Sequence, residues 1–133
     1  MDGGRFLSDG ERILGGHKTI RGFVSGVLIG VIVGVFEYLF ISQALLLIAI
    51  LASIGALLGD LAGAFMKRRL KLKPGAPLPI IDQLDFVVGA ILMVSAIYRP
   101  TLGTALILVL VTPPIHLATN LGAYALGLKS TYW

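Results

Sequence analysis

Four apolar stretches, at residues 22–41, 43–66, 82–98 and 102–128, are separated by short polar ones and account for most of the chain. A helix rising ~1.5 Å per residue needs about 20 apolar residues to cross a hydrocarbon core of ~30 Å. The first, second and fourth stretches meet that length. The third is short for a span, so its first turn has to sit at the membrane interface. In the first stretch Gly22, Gly26, Gly30 and Gly34 recur every fourth residue, and in the second Gly55, Gly59 and Gly63 do the same. Positions four apart share a helix face, and a smooth glycine stripe lets a neighbouring helix approach closely. Ser42-Gln43 is short enough to be a tight turn. The pattern predicts an all-α integral membrane protein, a bundle of about four transmembrane helices forming a single domain over residues 1–133.

The fourth stretch carries Pro113-Pro114 in its middle, followed by His116, Thr119 and Asn120. A proline pair breaks the hydrogen-bond ladder, and freed carbonyls at membrane depth need protein or a water-filled cavity beside them. A polar cavity is therefore predicted there. His116 and Asn120 lie four apart on one face. Isolated polar residues of this kind are more often interhelical hydrogen-bonders, which makes them second-rank candidates for a site.

The polar segments lie at residues 1–21 and 67–81. The first is Gly-rich and basic, lacks a continuous period, and reads as a folded-back or interfacial loop. From Gly10 its glycines approach the phosphate-loop pattern, but Lys18 comes two residues too late and no strand precedes it, so that reading is rejected. Lys18, Thr19 and Arg21 remain candidates to grip a phosphate. The second segment holds Lys67, Arg68, Arg69, Lys71 and Lys73, then Pro74, Pro77 and Pro79, which prevent helix through the turn. If this basic, Pro-rich loop is cytoplasmic, then residues 1–21 and Lys129 are too, and only Arg99 of the 11 Lys and Arg residues lies outside. Four spans and the positive-inside rule agree on a multi-pass protein of the cell membrane.

Composition narrows the chemistry. The chain is 56% hydrophobic and only 14% charged, with a mean hydropathy of +0.92, against roughly 25% charged residues in soluble domains. Without cysteine there is no thiolate nucleophile, disulfide or sulfur-ligated metal, and two histidines do not make a multi-histidine site. Any metal should be oxygen-ligated. Asp60 interrupts the second apolar stretch beside Gly59 and Gly63, and Asp82 and Asp85, three apart, open the third. Three acids and five bases thus meet at the mouths of two apolar segments, where charge must be paired, hydrated or metal-bound. Lys67 is seven residues after Asp60 on nearly the same face, and a structural Asp60–Lys67 pair is the simple alternative for that acid. Glu37 reads as an acid at the opposite headgroup level.

Gly59-Asp60, six intervening residues, Lys67-Arg68, Pro79 and the Asp82-x-x-Asp85 pair together resemble the signature of the CTP-dependent phosphatidate cytidylyltransferases. The resemblance is nearer to their archaeal branch, the CDP-archaeol synthases: KPGAPLP before Asp82-Gln83-Leu84-Asp85-Phe86 and the Lys18-Thr19-Ile20-Arg21-Gly22 loop are similar to that form. Ala64, Pro74 and Gln83 stand where the bacterial and eukaryotic pattern has serine, aspartate and arginine, which favours an ether lipid over a diacylglycerol substrate. Members of the branch often carry another hydrophobic segment before this loop and this chain starts without it, so the expectation is a bundle of about four that lacks a further N-terminal helix.

The resemblance implies transfer of CMP from CTP to an isoprenoid ether-lipid phosphate at the cytoplasmic face of the membrane, with release of pyrophosphate. It implies Mg²⁺ held by Asp60, Asp82 and Asp85, which with Lys67 form the catalytic set. Lys18, Thr19, Arg21, Arg68 and Lys73, and in second rank His116 and Asn120, would bind substrate. Membrane lipids are expected neighbours, nucleic acid is not, and a homodimer is held open. The alternative from another class is a small ion or anion transporter using Asp60 and the broken fourth helix.

Overall fold

A computed structural model describes residues 1–16, 18–72 and 81–128 of the chain. Four helices follow one another: α1 (Ile20–Phe40), α2 (Ala44–Arg69), α3 (Ile81–Val94) and α4 (Leu102–Ala125). Lys73 and the prolines of the 67–81 loop lie outside the described residues. α1 packs on α2, α2 on α3, and α3 on α4. The arrangement is a series of neighbours, with α2 and α3 at its centre.

The boundaries follow local chemistry. Thr19 caps α1, its hydroxyl accepting the Gly22 N–H at 3.1 Å. The turn after α1 is closed by the N–H groups of Ile41 and Ser42, which both donate to the Glu37 carbonyl at 2.9 and 3.0 Å. Lys67, Arg68 and Arg69 fill the last turn of α2, and Asp82 sits in the first turn of α3. Each charge is of the sign that its helix end favours. α1, α2 and α4 are long and apolar enough to cross a membrane, whereas α3 has 14 residues. The third apolar stretch therefore stops being helical at Val94, four residues before the expected Tyr98. Beyond it Ser95 folds its hydroxyl back onto the Ile91 carbonyl at 2.6 Å.

Glycine sets the separation of the central pair. A methyl group on Gly55 would overlap the Gly89 carbonyl, one on Gly59 the Asp85 carbonyl, and one on Gly89 the Gly55 carbonyl. α2 and α3 are thus in backbone contact along a three-glycine stripe, the close approach that small residues permit in membranes. On the α1 side, Gly26 faces Leu57, Gly30 faces Ser53, and Gly34 faces Ala49. Gly22, predicted to continue that stripe, instead meets its own cap, Thr19. Because overpacking a tight contact costs about 1–3 kcal/mol, Gly59→Ala should force α2 and α3 apart and lower activity roughly tenfold. Gly122→Ala, in open space, should leave activity unchanged. Thermal unfolding in detergent beside activity would check both.

Among the described residues Val87 and Val94 are the buried large apolar side chains, while Phe40 is 79% and Leu102 76% exposed. A chain with so little apolar interior and so much apolar exterior requires lipid as its solvent. α4 runs through Pro113 and Pro114 without a break, and the Thr112 hydroxyl donates to the Leu108 carbonyl at 2.6 Å. The cavity bordering α4 at Thr112, about 680 Å³ between α2, α3 and α4, is lined by apolar residues such as Ile48, Phe86, Ala90 and Leu108. The polar cavity expected beside the prolines is therefore not found there. Two missing N–H donors cost hydrogen bonds, but they do not unwind the helix.

Candidate active site

A second cavity, of about 390 Å³, opens where the N-terminal loop, the last turns of α2 and the first turns of α3 converge. The loop contributes Leu14, Gly15, Gly16 and Lys18, α2 contributes Asp60, Ala64, Lys67 and Arg68, and α3 contributes Asp82 and Asp85. The spacing is helical: Asp60, Ala64, Lys67 and Arg68 fall on one face of α2, and Asp82 and Asp85 on one face of α3.

The charges meet as specific partners. The Lys18 ammonium donates to both carboxylate oxygens of Asp60 at 2.5 Å, across 42 residues of chain. The Lys67 ammonium donates to Asp82 Oδ2 at 2.5 Å. The Asp60–Lys67 pair considered from the sequence is thus replaced by two pairs that each join different segments. One oxygen of Asp85 lies against Gly63, where a methyl group would displace it, and the other accepts the Phe86 N–H at 2.6 Å. Gly63 therefore makes room for a carboxylate. Arg68 is only 7% exposed and runs alongside Gly15. Among the described residues Asp60, Asp82 and Asp85 face Lys18, Lys67 and Arg68 across one cavity, so the formal charges of these six balance. Removing one member leaves a partly buried charge without its partner, which is costly.

Other predicted residues stand elsewhere. The Thr19 hydroxyl is used as the helix cap. Arg21 is exposed on the first turn of α1 and is not part of the cavity wall. His116 sits edge-on to Phe86, ring centroids 6.4 Å apart, and neither it nor Asn120 lines the cavity. Lys73 is outside the described residues. The transporter reading required Asp60 and α4 to share a site, but no α4 residue lines the cavity that holds Asp60. Among the described residues no three acids or histidines stand close enough together to hold one metal ion as arranged, since Asp60 and Asp82 are turned to lysines.

The folded N-terminal loop was less legible. Asp2 accepts the N–H groups of Gly4 and Leu14 at 3.1 and 3.0 Å, and these bonds, Leu14 first, hold its carboxyl below the ordinary value. Asp9 is lowered as well, by the Glu11 N–H and then by Arg69. Arg12 lies over the Phe6 ring at 5.8 Å, and Phe6 and Arg12 form an antiparallel bridge. No short-range periodicity announces these contacts.

This arrangement of a basic loop, an acid and two cations on one helix and two acids on the next is drawn from Leu14 to Asp85 of the chain. A family model described as CarS-like, CDP-archaeol synthase, matches residues 1–133. The chain belongs to the CDP-archaeol synthase family. A CDP-archaeol synthase of Thermofilum pendens is 46% identical over 138 residues, covering 100% of this chain and 65% of the relative. That of Methanococcoides burtonii is 38% identical over 157 residues, covering 100% of this chain and 89% of the relative. The chain thus spans about two thirds of the first relative's length and most of the second's. A solved structure of an intramembrane enzyme of archaeal membrane lipid biosynthesis superposes with a TM-score of 0.85 at 39% identity, covering 90% of this chain and 77% of that one. The all-helical membrane fold is therefore that of the CDP-archaeol synthase family.

Proposed function

We propose that the protein transfers CMP from CTP to the phosphate of 2,3-bis-O-geranylgeranylglycerol 1-phosphate, giving CDP-archaeol and pyrophosphate. The observation that carries this reading is the single cavity in which three carboxylates face three cations at the polar end of apolar helices. In the reaction a lipid phosphate oxygen forms a bond to the α-phosphorus of CTP while the bond to the bridging α,β-oxygen breaks and pyrophosphate leaves. Such a displacement needs charge neutralisation and alignment, and no covalent nucleophile.

Lys18, Lys67 and Arg68 supply the cations. Lys18 and Lys67 rest on Asp60 and Asp82; phosphate oxygens compete for the same ammonium groups, and transfer of the lysines to the nucleotide frees both carboxylates. The donor set left behind, Asp60, Asp82 and Asp85, consists of hard oxygens that suit Mg²⁺. Bound there, Mg²⁺ would neutralise phosphate charge during the displacement. Arg68, fork-shaped and nearly buried, is placed to bind a phosphate in two-point fashion. The isoprenoid chains stay in the bilayer beside the apolar helix faces, so only the headgroup enters the cavity.

Purified protein given each nucleoside triphosphate in turn, Mg²⁺ and the lipid phosphate should pass label from the α-phosphate of CTP, and of no other triphosphate, into an organic-soluble product. Label remaining in the aqueous phase with every nucleotide would refute the reading. The same reading places the cavity at the cytoplasmic face. Cysteines introduced singly into this cysteine-free chain at Ser8 and Ser42, both exposed, should label from the inside and the outside respectively; the reverse would separate the site from cytosolic CTP.

A further inference from the structure

Residues 1–16, together with Lys18 and Thr19, form a small lobe over the cavity, and it has almost no apolar interior: Phe6 is 63% and Leu7 40% exposed. Its internal cohesion comes from a few polar contacts, such as Leu7 N–H to Glu11 O at 3.0 Å and Ile13 N–H to Arg5 O at 3.2 Å. Segments held this way open at low cost. Among the described residues, the Lys18–Asp60 pair and Arg69 bond the lobe to α2, and Arg68 runs beside Gly15. Lys18 and Arg68 are part of the cavity wall, where an anionic ligand competes for them.

Arg69 is not in that wall. It lies over the Phe65 ring at 5.1 Å, donates through Nη2 to the carbonyls of Arg12 at 2.8 Å and Glu11 at 3.3 Å, and pairs through Nη1 with the Asp9 carboxylate. Adjacent arginines at the end of α2 thus face different ways, Arg68 into the cavity and Arg69 onto Asp9, Glu11 and Arg12 of the lobe. We propose that Arg69 and Asp9 form a ligand-independent latch that holds Gly15, Gly16 and Lys18 over the cavity, so that Arg69 is a positioning residue for nucleotide capture. This rests on the transferase reading given above. A lobe that is open part of the time lowers apparent affinity by the fraction closed. A saturating nucleotide closes it again, so the latch governs KM and leaves kcat nearly untouched.

The test uses the full chain in detergent, with Arg69→Ala, Arg69→Lys and an Asp9→Cys/Arg69→Cys pair that a short bismaleimide can bridge. Hydrogen exchange without ligand should speed up at the Leu7, Gly10 and Ile13 amides of Arg69→Ala while α2 amides keep their protection. The KM for CTP should rise roughly tenfold with kcat within about twofold. Arg69→Lys, which keeps the ion pair but loses the fork, should fall between Arg69→Ala and the unaltered protein. Bridging the cysteine pair should restore both lobe protection and KM. Unchanged lobe exchange in Arg69→Ala, a fall in kcat at constant KM, or a bridged pair that keeps a high KM would each overturn the latch. Should the unaltered protein turn over no nucleotide, the transferase reading falls, and the exchange and bridging results still decide whether the latch exists.

Discussion

Asp82→Asn should reduce turnover by well over tenfold, a loss of more than about 1.4 kcal/mol of transition-state stabilisation. Asparagine keeps the size of the side chain and can still accept a hydrogen bond from Lys67, so the helix contact should survive. What it removes is one negative charge from the carboxylate set facing the cavity, and with it affinity for a divalent cation. The measurement is initial rate against Mg²⁺ concentration, after circular dichroism shows intact helix. Turnover should fall and the Mg²⁺ requirement should rise together. A rate loss corrected by lipid or temperature alone would instead indicate a stability defect.

The second large effect concerns the Lys18–Asp60 pair. If it were only a strut between loop and helix, removing both partners would leave no uncompensated charge, and the double alanine variant would fold and work nearly as well as the unaltered protein. On the present account both groups meet the substrates. Lys18→Ala and Asp60→Ala should each lower turnover by about a hundredfold, and the double variant should be close to the worse single one, because members of one catalytic unit lose function together. The same double-variant logic applied to Asp60 and Lys67 would be uninformative, because those residues are not partners in the structure.

The fold was legible where physics is local. Apolar runs of spanning length located α1, α2 and α4 to within a few residues, and glycines four apart marked the faces along which α2 meets its neighbours. The acids and cations were legible because charge at the edge of an apolar run demands a partner. The partners themselves were not. Lys18 and Asp60 lie 42 residues apart, and their pairing depends on how the N-terminal loop folds back, which no periodicity encodes. Arg69 looked like one more cation among five, although its position at the helix end turns it away from the cavity. The Thr19 cap does have a signal, a threonine immediately before the apolar run, and its hydroxyl accepts the Gly22 N–H. Pro113 and Pro114 remove N–H donors without breaking α4, a distinction the sequence alone does not carry.

The most direct test of the central claim, that the carboxylates of α2 and α3 act with the facing cations as one transferase site, is pyrophosphate release from CTP against Mg²⁺ concentration. It should be measured for the unaltered protein, Asp60→Asn, Asp82→Asn and Lys18→Ala/Asp60→Ala, each first shown to be folded. The account predicts Mg²⁺-dependent release in the unaltered protein and severe loss in all three variants. A double variant that releases pyrophosphate at the unaltered rate with unaltered Mg²⁺ dependence would contradict it.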